Sequence, residues 1–212
     1  FPKNINYEQI DLTLSMLKQD SGWQIKSDNI WMHNKDLSLA AELKLSLSDM
    51  ASMSLYAELK GPKAILAKEY YPKGYMPQGT IDYLNESLLD GKVEQAQVLW
   101  HGQFSSFPYE NNDGHFAVIA KVVDAEFQFQ SNWPSIKNLD VDLVFDRQRM
   151  DIFSDIGQLV NLSLKDGVTV SIDDLRISDW LDVKINNEVD AQVLQPFFEN
   201  TPLSKSVGEV LK

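Results

Sequence analysis

Residues 37–48 read LSLAAELKLSLS, and this stretch decides the fold of the chain. Every second position from Leu37 to Leu47 is apolar, and serine, glutamate and lysine occupy most of the positions between them. Successive side chains of a β-strand point to opposite faces of the sheet. The stretch therefore predicts a strand with one apolar face and one polar face.

The same alternation recurs along most of the chain, at 10–16, 53–59, 116–122, 139–145 and 168–172. Turn-forming residues at 110–114, 131–134, 146–148 and 165–167 separate the later runs at spacings typical of β-hairpins. Helices are predicted at 63–71, at 80–91 with Gly91 as the end, and at 189–200, followed by a short segment from Pro202. We therefore predict a mainly β protein with a few short helices and a long antiparallel twisted sheet.

Composition argues against several functional classes. The chain has 212 residues and a formal net charge of −12, with 31 acidic and 19 basic side chains. Such a charge repels phosphate backbones, so we expect no nucleic-acid partner. There are no cysteines, and the three histidines do not have the spacing of metal ligands. Because no catalytic motif is present either, we expect a protein that is not an enzyme and has neither a metal nor a cofactor.

The function of the protein depends on what covers the apolar face of these strands. Five buried aliphatic side chains contribute about 7 to 15 kcal/mol, whereas ordering ten residues of backbone costs roughly 10 to 20 kcal/mol, so a lone strand is unstable. A second sheet would give a sandwich, helices would give a two-layer fold, and lipid would give a trough. All three alternatives have the same period of two, so the pattern does not distinguish them.

Several short motifs in the middle of the chain resemble a known family. They are Tyr70-Tyr71-Pro72, Tyr83-Leu84 with Gly91, Gly102 followed by Phe107-Pro108-Tyr109, Gly114-His115-Phe116, Trp133-Pro134, and the ending Pro196 to Leu203. In order and spacing they look like the central region of the YhdP proteins of Gram-negative bacteria, members of the AsmA-like group and relatives of TamB. The resemblance covers roughly residues 65–208, and residues 1–60 match only in strand pattern.

The resemblance implies a long antiparallel sheet that curls into an open apolar groove. It implies a periplasmic location within a protein anchored in the inner membrane, and a bridge that moves phospholipids between the inner and outer membranes. Residues 1–212 would be one fragment of that longer protein, with a hinge at 61–79 between a strand portion, 1–60, and the family-like portion, 65–208. The resemblance supplies no catalytic residues.

The expected partners are phospholipid acyl chains, with both membranes reached through the rest of the parent protein and the oligomeric state left open. Alternative functions are a scaffold for outer-membrane protein assembly and a glycan-binding β domain. The candidate groove-lining residues come from the clearest alternating runs: Leu39, Leu43, Leu45, Leu55, Phe116, Val118, Phe127, Phe129, Leu143, Phe145, Val170 and Ile172.

Overall fold

A computed structural model describes residues 7–61, 63–64, 78–160, 162–164, 167–177, 180, 182–186 and 191–205. The helix predicted at 63–71 lies, apart from residues 63 and 64, outside this part of the chain. The same holds for most of the hinge predicted at 61–79, which stays a prediction. No helix in the described ranges combines the length and the apolar character needed to cross a membrane.

The described strands form one twelve-stranded antiparallel sheet. Its main order is β1 to β8, then β11 and β12, while β9 pairs with β7 and β10. The sheet is open, since its main order ends at β1 and β12 without closing, and it confirms the predicted fold class. The strands are β1 (Gln9–Gln19), β2 (Gly22–His33), β3 (Ser38–Leu47), β4 (Ser52–Lys60), β5 (Leu88–Gln103), β6 (Gly114–Phe127), β7 (Ile136–Asp146), β8 (Arg149–Ser154), β9 (Gly157–Leu159), β10 (Leu162–Leu164), β11 (Val168–Ile172) and β12 (Asp182–Ile185).

Two α-helices are described, α1 (Gln78–Ser87) and α2 (Ala191–Glu199), with 3-10 turns at Phe104–Ser106 and Pro202–Lys205. The predicted end of the second helix at Gly91 is wrong, because the chain is already in β5 from Leu88. Gly91 has a φ of +141°, and a Cβ atom there would collide with Val122 and Ala125. This glycine therefore permits an irregular, closely packed strand and does not cap a helix.

The hairpin predicted around 165–167 is also wrong. β10 precedes this segment and pairs with β9, whereas β11 follows it and pairs with β8 and β12. The turn residues are the same for both arrangements, since a turn does not specify which strands pair on its two sides. In the sequence, the β9–β10 hairpin is instead inserted between β8 and β11, which are neighbours in the sheet.

Strands β2 and β5 do not show the simple alternation because bulges change the phase of their side chains. In β2 the register shifts between Ser27 and Ile30, and in β5 it shifts between Val93 and Gln95. Each bulge adds one residue, so the inward positions change from odd to even numbers along the strand. The Ser27 hydroxyl stabilises the first bulge, since its oxygen lies 2.6 Å from the carbonyl oxygen of Thr13 and 3.0 Å from that of Asn29, and its one proton is donated between them.

The hydrophobic core lies at one end of the later strands. Apart from Ala64, its buried members come from β6, β7 and β9 to β11, and side chains from α2 and the start of β5 pack against it. We call this region the packed end: Ala64, Val122, Ala125, Ile136, Leu139, Val141, Leu159, Leu162, Leu164, Val168 and Val170. The core is therefore built by local additions to one sheet, and the described strands contain no second sheet.

Candidate functional site

One face of the sheet, which we call the inner face, carries apolar side chains in direct register across the strands. The first row crosses ten strands, and every position in it is apolar. Its members are Ile10, Met32, Leu39, Leu59, Ala96, Ala120, Leu143, Ile152, Val170 and Val183. Nine spacings between strands correspond to an apolar path of about 43 Å across the sheet.

A second row lies two residues further along each strand and is also apolar throughout. Its members are Leu12, Ile30, Ala41, Ala57, Val98, Val118, Phe145, Met150 and Ile172. A third row contains Ser27 at the bulge of β2 and then Leu43, Leu55, Trp100 and Phe116. A fourth contains Met16, Ile25, Leu45 and Met53 before it reaches Gly102 and Gly114. The inner face is therefore a continuous apolar surface that runs perpendicular to the strands.

The inner face is exposed at the two ends of the main strand order, where Val183 of β12 is 40% exposed, and it is more buried between them. In β1, Ile10 is 53% exposed and Met16 is 60% exposed. In β3 and β4 the inner leucines are half-buried, and in β8 and β11 Met150 and Val170 are almost fully buried. The first half of the sheet therefore presents apolar surface that the protein itself covers only in part.

An aromatic cluster covers the inner face at one strand end. The 3-10 turn and loop after β5 fold back so that Phe107 stacks on Trp100 with ring centroids 5.1 Å apart. Phe116 meets Trp100 edge to face, also at 5.1 Å, and Tyr109 lies edge-on to Trp100 at 6.3 Å. Tyr109 is fully buried, and its burial raises the pKa of its hydroxyl. With Phe104, these rings form the aromatic cluster.

An ion-pair network holds the loop of this cluster in place. Arg176 donates to Glu110 and to Asp174, with nitrogen–oxygen distances of 2.6 Å in both cases. The hydrogen bond from Arg176 lowers the pKa of the Asp174 carboxyl, so this carboxyl stays ionised at neutral pH. Glu110 belongs to the loop and Asp174 to the segment after β11, so the network joins the loop between β5 and β6 to the segment that follows β11.

Helix α1 closes part of the opposite strand end, next to the packed end. Ile81 is 3% exposed, and Tyr83 meets Phe127 edge to face at 6.3 Å. Burial raises the pKa of the Tyr83 hydroxyl. The aromatic cluster and α1 therefore lie at opposite strand ends, and the apolar rows run between them.

The predicted lining residues fall into two groups. Leu39, Leu43, Leu45, Leu55, Phe116, Val118, Leu143, Phe145, Val170 and Ile172 lie in the four rows of the inner face. Phe127 and Phe129 contact each other at 5.3 Å and pack against the core of the packed end. The structure also brings Phe116 into the aromatic cluster, where it packs against Trp100 and Phe107.

Sequence reasoning missed inner-face residues from the bulged strands and from positions with small side chains. Ala57 and Ala41 form adjacent parts of the second row, and Val98 continues it on β5. Alanine carries a weak hydrophobic signal, and the bulge near Val93 hides the phase of β5. The run Ala96, Val98, Trp100 after that bulge is the signal that would have identified these residues.

The described residues contain no group of three or more histidine, aspartate or glutamate side chains placed to hold a metal ion. His115 Nε2 lies 3.7 Å from Asp146 Oδ1, and both side chains are substantially exposed. This pair is at a strand end on the surface. We therefore take the continuous apolar face as the candidate functional site.

Comparison with known proteins places the chain in a family. The model of the family described as YhdP protein matches residues 1–212. The chain is 28% identical over 206 residues to the intermembrane phospholipid transporter YhdP of Escherichia coli (strain K12), a match that covers 94% of this chain. The chain spans 16% of the length of that relative. No solved structure matches the chain. The family expected from the sequence motifs is thus confirmed, and the chain belongs to the YhdP family.

Proposed function

We propose that this chain is a non-enzymatic segment of a lipid conduit and that its inner face holds phospholipid acyl chains. The observation that carries the proposal is the first apolar row, which continues without a polar position across ten strands. The relative that the chain resembles is named as an intermembrane phospholipid transporter. In this proposal the parent protein is anchored in the inner membrane, and the segment lies in the periplasm between the two membranes.

The energetics favour a mobile lipid over a fixed binding pose. Each methylene group that moves from water to an apolar surface contributes about 0.8 kcal/mol, so an acyl chain gains substantially from lying on the inner face. The apolar rows offer similar contacts at successive strands, and dispersion attraction has no strong directional preference. A chain displaced by one strand spacing therefore keeps comparable contacts, which is the property that a conduit requires.

The test is mass spectrometry of the organic extract of the purified chain, with a matched pair of charged variants. Leu55→Glu places a carboxylate in the third row, where the side chain is half-buried. Leu99→Glu places the same charge on the opposite face of the neighbouring strand, where the leucine is 41% exposed. We expect phospholipid with the native chain and with Leu99→Glu, and a strong loss with Leu55→Glu, because a carboxylate is costly to cover with hydrocarbon.

Circular dichroism and thermal unfolding of both variants distinguish lost binding from lost folding. Extracts without phospholipid from the native chain would contradict the conduit. Equal retention in the two variants would contradict the assignment of the inner face as the lipid surface.

A further inference from the structure

A shallow, open cavity of about 470 Å³ lies at the rim of the sheet, where β2 and β4 end and β3 begins beside the early part of β5. This volume is within the range of roughly 300 to 1,000 Å³ that is usual for small-molecule sites. We call it the rim cavity; its lining includes Lys35, Lys60, Lys92 and Glu94, together with Leu37 and Val93. The cavity lies outside the apolar rows, and the proposed conduit does not account for it.

The charge of the rim cavity differs in sign from that of the chain. Three lysines line it against one glutamate, whereas the whole chain carries a net charge of −12. Within the described part of the chain, none of these lysines has an ion-pair partner, while Glu94 lies 4.0 Å from the ammonium group of Lys121. Lysines held together without acidic partners attract an anion, and an ammonium group donates well to phosphate oxygens.

The backbone around the rim cavity is held by hydrogen bonds. Asn34 is 4% exposed, and its side-chain Oδ1 accepts hydrogen bonds from the N–H groups of Asp36 and Leu37, both at 2.8 Å. This turn fixes the segment that carries Lys35. Lys60 lies opposite Ser38 in the β3–β4 register, and the N–H of Gly61 donates to the carbonyl oxygen of Val93 at 3.4 Å. The segments bearing the three lysines are therefore tied to one another.

The rim cavity adjoins the apolar surface directly. Leu37 precedes Leu39 of the first row by two residues and so faces the same way, whereas Lys60 alternates with Leu59 and faces outward at the end of β4. The rim cavity therefore lies at the strand ends, where the inner and outer faces meet. Val93, which also lines the cavity, packs against the packed end. A ligand seated here would meet positive charge at one end and a continuous apolar row at the other, which matches an anionic amphiphile.

We propose that the rim cavity binds a phosphate ester and that its source is the headgroup of a phospholipid whose acyl chains lie on the first row. The binding of a phosphate is inferred from the three lysines. The headgroup as the source of that phosphate rests on the proposed function. It assigns the headgroup to one edge of the apolar face, so that the lipid is oriented on the sheet.

The test compares two lipids with the same fluorescently labelled acyl chains, phosphatidylglycerol and diacylglycerol, which lacks the phosphate. The rim variant is Lys35→Gln/Lys60→Gln/Lys92→Gln. The control Lys26→Gln/Lys44→Gln/Lys184→Gln makes the same change in net charge at exposed positions that alternate with inner-face residues. We expect the rim variant to bind phosphatidylglycerol about tenfold more weakly, because three exposed ion pairs between the lysines and the lipid phosphate are lost. Its affinity for diacylglycerol should be unchanged. The control should bind both lipids like the native chain.

Rising salt should reproduce the effect of the rim variant for phosphatidylglycerol alone, since screening acts on the ion pairs and not on the apolar contacts. Equal affinity of the native chain for the two lipids, or equal losses in the rim variant and the control, would overturn the rim site and leave the conduit standing.

Binding of neither lipid would refute the conduit. Titration with glycerol phosphate then shows whether the rim cavity binds a phosphate ester without a lipid. Binding of glycerol phosphate that the rim variant loses would support the phosphate site but overturn the headgroup as its source. Absence of such binding would overturn the site.

Discussion

Individual residues decide where the inner face is closed. Tyr109 is fully buried because its ring lies against the backbone pair Gly102 and Gly114, which face each other in the β5–β6 register. A Cβ atom at either glycine would collide with the Tyr109 ring. The two glycines thus replace the side chains that the fourth row would otherwise carry, and the aromatic cluster fills their space.

A substitution at this pair tests that arrangement. Gly102 has a φ of +138°, which L-residues rarely adopt, so Gly102→Ala suffers both backbone strain and the collision with Tyr109. We expect the free energy of unfolding to fall by about 1 to 3 kcal/mol, as measured by urea denaturation. The matched control is Gly79→Ala in α1, where nothing lies within 4 Å of the added atom. There we expect a gain of up to about 1 kcal/mol from helix propensity. Similar small effects at both positions would contradict the packing of Tyr109 on the glycine pair.

At the scale of the elements, bulges allow the ten strands of the main order to keep their apolar side chains on one face. Without the bulge near Ser27, Ile30 and Met32 would point to the outer face. The first and second rows would then be interrupted at β2. Similarly, β6 shifts register between Val122 and Ala125, so its inward positions change from even to odd numbers and join the packed end. In β5 and β6 the alternation therefore changes phase where the strand passes from the apolar rows to the packed end.

Helix α1 supplies the next prediction, since it closes part of the strand end opposite the aromatic cluster and could cap the apolar face there. Ile81 is the most buried side chain of α1 for which burial is described, apart from Ser87. Ile81→Ala should lower the free energy of unfolding by about 2 to 5 kcal/mol, because it leaves a cavity under the helix. It should also increase the fluorescence of a hydrophobic dye, as the helix loosens over the surface beneath it.

The control for α1 is Leu89→Ala, two residues beyond the helix, where the leucine is 37% exposed. It removes a similar apolar side chain from a partly exposed position, so its effect on stability should be clearly smaller. Unchanged dye binding and stability in Ile81→Ala would refute the capping role of α1.

At the scale of the whole molecule, burial is distributed unevenly along the sheet. Every residue of β1 is exposed, whereas β6, β7 and β11 contribute most of the packed end. Local opening costs little free energy where few apolar contacts are buried, and it approaches global unfolding in a core. We expect amide hydrogens of β1 and its β2 partners to exchange first and those of β6 and β7 to exchange last.

Native-state hydrogen exchange read by mass spectrometry checks this gradient. Addition of phospholipid should slow exchange in β3 to β5 more than in the packed end, because the half-buried inner face lies there. Uniform protection across the sheet would contradict the uneven core, and lipid-induced protection confined to the packed end would contradict the assignment of the open surface.

The sequence by itself determined that this chain forms one-sided strands. Alternation from Leu37 to Leu47 and in the five other runs is a local property, because the two faces of a strand follow from backbone geometry alone. Ten of the predicted lining residues accordingly lie in the apolar rows. The order and spacing of the short motifs, from Tyr70-Tyr71-Pro72 to the ending at Leu203, also indicated the family.

Only the tertiary structure decided which strands pair and which parts of the apolar face are covered. The insertion of β9 and β10, the bulges of β2 and β5, and the folding of Tyr109 over Gly102 depend on contacts between distant residues. A period of two is the same whether a face meets a second sheet, a helix or a ligand, so it carries no information about coverage. Coverage is settled by the packing of the whole chain, which leaves the inner face of β1 exposed, half-buries most of the rows in the strands after it, and buries the packed end.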